Sequence, residues 1–147
     1  MRIDIEYVKN LLNKFLEAES AHISVPQLHA AGFPVESDEK PGYLDEKFLF
    51  HIQIVMDNGL ISDKNLKLSG LESIGIHLDF SGAPTLVKKD IRLTQKGHDF
   101  ANALSKKEVF EKLKSEFKDV PFKVIFDGSP KLLQHFLQKK LDDLLDE

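Results

Sequence analysis

The chain contains no cysteine and no tryptophan, and among its 147 residues it has only two methionines and two tyrosines. Without cysteine there are no disulfides, no cysteine-zinc sites and no thiol catalysis. That absence fits a reducing, cytoplasmic compartment. No apolar run is long enough to span a bilayer. The opening Met1-Arg2-Ile3-Asp4-Ile5-Glu6 lacks the apolar core of a signal segment. An excess of positive charge is also missing, because the formal net charge is -4. Non-specific attraction to nucleic acid through bulk charge is therefore not expected, although a local basic patch remains compatible with that figure. No Gly-rich phosphate loop, serine elbow or paired-carboxylate motif is present. The expectation is a non-enzymatic protein that needs no cofactor and no metal.

What the chain does have is phenylalanine, 11 residues of it, within a hydrophobic content of 41%. At this length it forms one domain with room for a substantial core. Residues 4–19 read as a first helix, with Ile5, Val8, Leu11, Leu12, Phe15 and Leu16 on one face. Residues 21–25 suit a brief strand. Pro26 suits a helix's first turn, and a short helix over 27–31 closes at Gly32. Residues 33–43 read as a loop. A third helix spans 44–58, with Leu44, Phe48, Ile52 and Val55 inward, and Asn58-Gly59 stops it.

From there the period changes. Ile74, Ile76, Leu78 and Phe80 alternate with polar residues and predict a strand over 73–80. Residues 81–84 form a turn, and 86–93 return as the second strand of a hairpin. Thr94 is the natural N-cap of the next helix, predicted over 95–105, with Phe100, Ala101 and Leu104 inward. Helical spacing resumes over 107–117 through Val109, Phe110, Leu113 and Phe117, and Pro121 breaks it. Asp127-Gly128-Ser129-Pro130 reads as a turn and helix start, with Ser129 as cap. The last helix then covers 130–145.

The order is helix, short helix, helix, hairpin, then more helices. It predicts an α+β, mainly helical fold: a winged helix-turn-helix core with a hairpin wing over residues 1–105, and a C-terminal helical extension over 106–147 packed on the same domain. The string Arg92-Leu93-Thr94-x-x-Gly97-His98-Asp99-Phe100 is similar to the signature of an uncharacterised winged-helix family of bacteria and their phages. In that family a helix ending in an apolar-Gly-Leu-Ile step precedes the wing, as at Asn58-Gly59-Leu60-Ile61. Phe110 stands where the family usually has tryptophan. The resemblance covers roughly residues 43–117. It implies fold and a phage or bacterial setting, and it carries no activity with it.

Two macromolecular readings follow. In the favoured one the protein is a regulator or adaptor that contacts a protein partner or a second copy of itself. Phe50 and Ile54 on the outer face of the third helix, and Phe136, Leu137, Leu141 and Leu144 on the last helix, would be its interaction surface. The alternative is a DNA-binding transcription regulator. Lys47 and Gln53 would then enter the groove from the third helix, and Lys88, Lys89 and Arg92 would touch phosphates from the wing. Asp45, Glu46 and Asp57 on the same helix oppose that reading. Lys106, Lys107, Lys112, Lys114 and Lys118 are interleaved with acids, the pattern of a solvated helix face.

A third reading, a metal-dependent hydrolase, requires His77, Asp79, His98 and Asp99 to converge. Set against it, His98 and Asp99 brace the junction between wing and helix, with Asp99 pairing to Arg92 or Lys96, and Gly97 permits close packing against the wing. His22, His29, His51 and His135 show no ligand spacing.

Overall fold

The structure is a computed structural model that describes residues 1–116 and 119–146. Phe117 and Lys118, placed by sequence on the inner and charged faces of the fifth helix, lie outside the described residues. The fold is α+β and mainly helical. Its elements run α1 (Ile5–Glu17), α2 (Val25–Ala30), α3 (Glu46–Asp57), β1 (Ile61–Asp63), a 3₁₀ turn (Leu71–Ile74), β2 (Ile76–Leu78), β3 (Pro84–Leu86), β4 (Ile91–Leu93), α4 (Gln95–Ser105), α5 (Lys107–Glu116) and α6 (Phe122–Leu145). The chain divides into two compact units, Met1–Gly97 and His98–Glu147, with the boundary inside α4.

In the first unit each helix starts on a side-chain cap. Asp4 accepts the N–H groups of Glu6 and Tyr7 ahead of α1, and Asp45 accepts the N–H of Phe48 ahead of α3. Such caps satisfy donors that have no carbonyl partner in the first turn. Ser24 and Gln27 form a reciprocal capping box, so α2 begins two residues before the position its proline suggests. Val8, Leu11, Leu12, Leu28, Phe48, Ile52 and Val55 are fully buried. All of these but Leu28 belong to the inner faces that the helical spacing predicts for α1 and α3, where Ile5, Phe15 and Leu16 are half-buried. The core also carries a ring cluster, in which Phe33 sits edge-on to Tyr7 at 5.3 Å and to Phe48 at 6.2 Å.

The hairpin differs from expectation in two ways. First, the strand predicted over 73–80 is only Ile76–Leu78, because Leu71–Ile74 winds into the 3₁₀ turn and Gly75 sits at φ +88°. A Cβ on Gly75 would lie 2.2 Å from the Val87 carbonyl oxygen, so only glycine lets the two chains approach there. Second, the returning strand is broken at residues 87–90 and changes partner. Pro84–Leu86 pairs antiparallel with β2, whereas Ile91–Leu93 pairs antiparallel with β1. Ile91 also exchanges both backbone bonds with Ile23, each 2.9 Å long, so β4 lies between β1 and the brief extended segment after α1.

The second unit is helical. Phe100 meets Phe126 at 5.3 Å and Phe122 at 5.8 Å between ring centroids, both edge-on. Val109, Phe110 and Leu113 of α5 are buried, and α5 packs along α6. The predicted turn and cap at 127–130 is not a break. Ser129 is buried inside α6, and its hydroxyl donates to the carbonyl of Ile125 one turn earlier. Pro130 lies inside the same helix. It removes one helical N–H, the one that would bond the Phe126 carbonyl.

Candidate functional site

The outer face of α3 was one candidate surface. Gln53 is exposed there, with Glu46 and Asp57. Lys47 is exposed but engaged at the surface: its ammonium donates to Asp4 Oδ2 at 2.9 Å and lies 5.2 Å over the Tyr7 ring. Phe50 and Ile54 are half-buried rather than exposed, and the Phe50 ring meets the edge of His51 at 5.0 Å. Asp45 serves as the helix cap and not as an outward charge.

Sequence reasoning left His51 among the scattered histidines, yet it is fully buried and joins α1 to α3. The Asp4 N–H donates to Nε2 at 2.9 Å, and Nδ1 bonds the Lys47 carbonyl at 2.7 Å. A ring nitrogen that accepts an N–H carries no proton, so this geometry requires the neutral Nδ1–H form. Burial pushes the His51 pKa below its ordinary value, against the opposing pulls of the Lys47 carbonyl and the Asp4 carboxylate. For Asp4 itself burial acts upward. The Lys47 ammonium and the N–H groups of Tyr7 and Glu6 outweigh it and hold the carboxyl below its ordinary value. The missed signal was positional: His51 falls on the inner stripe of α3, between Phe48 and Ile52.

The Thr94-x-x-Gly97 string forms a backbone latch. Thr94 Oγ1 accepts the Gly97 N–H at 3.0 Å, which makes Thr94 the N-cap of α4. The same hydroxyl donates to the Gly59 carbonyl at 2.6 Å, and the Thr94 N–H donates to the Leu60 carbonyl at 2.9 Å. A Cβ on Gly97 would stand 1.9 Å from that Leu60 oxygen. The close packing expected of Gly97 is thus against the chain entering β1, and not against the β2–β3 hairpin. Arg92 sits opposite Ser62 in the β1–β4 register and reaches its hydroxyl at 3.4 Å.

On the hairpin, Lys88 and Lys89 are exposed in the segment between β3 and β4, and Phe80 is fully exposed beside the turn. Asp79 is used locally, its Oδ1 accepting the Ser81 N–H, the Ser81 hydroxyl and the Ala83 N–H. The Ser81 hydroxyl and those backbone donors hold its carboxyl below the ordinary value. His77 is exposed, and His98 bonds Asn102 one turn on at 3.0 Å. Among the described residues no group of three or more His, Asp or Glu side chains is placed to hold a metal ion, so His77, Asp79, His98 and Asp99 form no such centre.

The remaining surface is on α6. Leu137, Leu141, Leu144 and Leu145 are exposed, Leu145 by 75%. Leu137 and Leu141 line a shallow trough of about 270 Å³ along the helix with Pro130 and Leu133. Phe136 is half-buried and faces a second cleft of about 160 Å³ between α5 and α6, floored by Val109, Leu133 and Leu137. Lys106, Lys139 and Lys140 rim that cleft together with Glu108 and Asp143. Among the described residues no helix is long and apolar enough to cross a membrane. Compared with protein-family models, curated proteins and solved structures, the chain has no match in any of the three.

Proposed function

We propose that this chain is a non-enzymatic winged-helix protein that works as a regulator or adaptor through protein contact, and that its primary contact is with a second copy of itself through α6. One observation carries the reading: Leu137, Leu141, Leu144 and Leu145 stand exposed on one helix, the first two lining an apolar trough. A monomer gains nothing by leaving such a stripe in water, because full burial of an exposed leucine contributes about 1.5–3 kcal/mol and covering the half to three-quarters still exposed here contributes a share of that each. The winged-helix part is supported by the order of elements and by Ile91, hydrogen-bonded to Ile23 on one side and standing opposite Asp63 in the β1–β4 register on the other. It is also supported by the Arg92-Leu93-Thr94-x-x-Gly97-His98-Asp99-Phe100 string.

A DNA-reading role for α3 has less support, since Lys47 is held by Asp4 and the neighbouring charges are acidic. A second reading, DNA binding through the wing, draws on the exposed Lys88 and Lys89. Sedimentation velocity across a concentration series separates the two when combined with anisotropy on mixed-sequence duplex DNA at low and moderate salt. A dimer that dissociates in Leu141→Asp, with no DNA binding, is the expected result. A monomer whose tight DNA binding collapses with salt, and is lost in Lys88→Ala/Lys89→Ala, would replace it with the second reading.

A further inference from the structure

We propose that two copies pair antiparallel through α6, each placing Leu144 and the acidic end of its helix into the lysine-rimmed cleft between α5 and α6 of the other. This rests on the self-association reading and adds orientation and seat to it. Charge on the second half of α6 is segregated by position. Lys131, Lys139 and Lys140 precede Leu141, and Asp142, Asp143 and Asp146 follow it. Parallel helices in register would set lysine beside lysine and aspartate beside aspartate. Antiparallel helices set the acidic end of each against the basic stretch of the other, and they also oppose the two helix dipoles.

Within α6 the Asp142 carboxylate accepts the neutral Gln138 amide one turn earlier at 3.0 Å, a contact that leaves its charge unpaired by a lysine. The ion pairs Lys14–Glu17, Lys47–Asp4 and Lys112–Glu116 all lie outside α6. A lysine four residues before an aspartate is in any case the weaker intrahelical orientation. The cleft suits the proposed guest. Its floor of Val109, Leu133, Phe136 and Leu137 is apolar, and its volume of about 160 Å³ is that of one bulky aliphatic side chain with clearance. The rim carries three lysines against two acids, so an acidic segment is favoured over a basic one. Leu144 is exposed and lies between Asp143 and Leu145 at the acidic end. The arrangement is reciprocal, cleft to tail and tail to cleft, as a closed two-fold interface requires.

The absence of cysteine makes the test clean. Full-length Leu137→Cys and Leu144→Cys chains are mixed under mild oxidant, with circular dichroism checking that each remains folded. The expected product is the mixed 137–144 disulfide in excess over either like pair. Dominant 144–144 product from a dimeric sample would overturn the antiparallel seat and leave self-association intact. A wild-type chain that stays monomeric throughout the concentration series would overturn both. An independent arm uses exposed charges of the acidic end, with circular dichroism again checking the fold. Asp142→Lys/Asp143→Lys raises the dimer dissociation constant by roughly tenfold or more. An unchanged constant in that variant would also overturn the proposal.

Discussion

Gly97→Ala and Gly128→Ala are the same chemical change, each inside a helix, and the structure gives them opposite signs. At an open helical position alanine is favoured over glycine by about 1 kcal/mol, because it has less backbone entropy to lose. Gly128 in α6 is such a position, with nothing within 4 Å of the built Cβ. At Gly97 the new methyl would lie 1.9 Å from the Leu60 carbonyl oxygen, where real contacts stay beyond 3.0 Å. The obstacle is backbone, so it cannot rotate aside. Either the first turn of α4 or the chain entering β1 must shift by about 1 Å.

That shift also loosens the Thr94 bonds to the Gly59 and Leu60 carbonyls. Overpacking costs ~1–3 kcal/mol and each weakened hydrogen bond ~0.5–1.5 kcal/mol. Set against a propensity gain of ~1 kcal/mol, Gly97→Ala comes out destabilising by ~2–4 kcal/mol. For a chain of this size that is a fall in Tm of roughly 5–15 °C. Urea titration followed by far-UV circular dichroism reads both variants. If Gly97→Ala is neutral or stabilising like Gly128→Ala, the close approach at Leu60 is wrong, and with it the explanation of the motif.

Other perturbations follow from single features. His51 is neutral in the fold with a lowered pKa, so the unfolded chain binds the extra proton; stability should hold above pH 6.5 and fall as pH drops below it. Urea midpoints across that range should slope in wild type and flatten in His51→Gln, and equal slopes would refute the role of the Asp4–His51–Lys47 link. Leu66 is the one non-glycine residue at positive φ among those described, 66°, and its side chain is largely exposed; Leu66→Asn should raise stability by ~0.5–1 kcal/mol by thermal denaturation. Pro130→Ala should raise it by ~1–3 kcal/mol by giving the Phe126 carbonyl a helical donor, and a loss instead would mean that the local bend is needed by the packing of α6.

Much of the first unit was legible because its signals are local. Helical spacing located α1 and α3 to within a few residues, and Asn58-Gly59 marked the end of α3 correctly. Thr94 was readable as a cap because the periodicity changes there. What the spacing could not carry was burial of the unexpected type: His51 occupies an inward position of α3 that reads as polar, and beside the Lys47 carbonyl one turn back its other partner, the Asp4 N–H, comes from 47 residues away. Period-two alternation misled in the hairpin for a related reason. Ile74, Ile76, Leu78 and Phe80 do alternate, yet only the first two are buried, since the hairpin runs on past the core that would cover the rest. Alternation identifies a face, and whether anything lies against that face is decided by chain that is distant in sequence.

The misreading of α6 shows local propensity losing to packing. Asp-Gly-Ser-Pro is a strong turn signal, because each residue stabilises non-helical backbone. In this chain the same four residues are helical. The Ser129 hydroxyl bonds back to Ile125, while Phe122 and Phe126 on one side meet Phe100 of α4, and Leu133 and Phe136 on the other share a cleft with Val109 of α5. Phe122, Phe126, Leu133 and Phe136 are each half-buried, and together that cover contributes several kcal/mol by area, against ~3 kcal/mol for an interior proline and ~1 for the glycine. The continuous helix therefore wins. That continuity also bears on function. It rigidly joins the half of α6 that builds the second unit's core to the half that presents Leu141, Leu144 and Leu145. A break at Pro130 would let that second half swing, so a partner bound there would be held by a flexible arm. With the helix unbroken, it is held in a fixed orientation to α4 and α5.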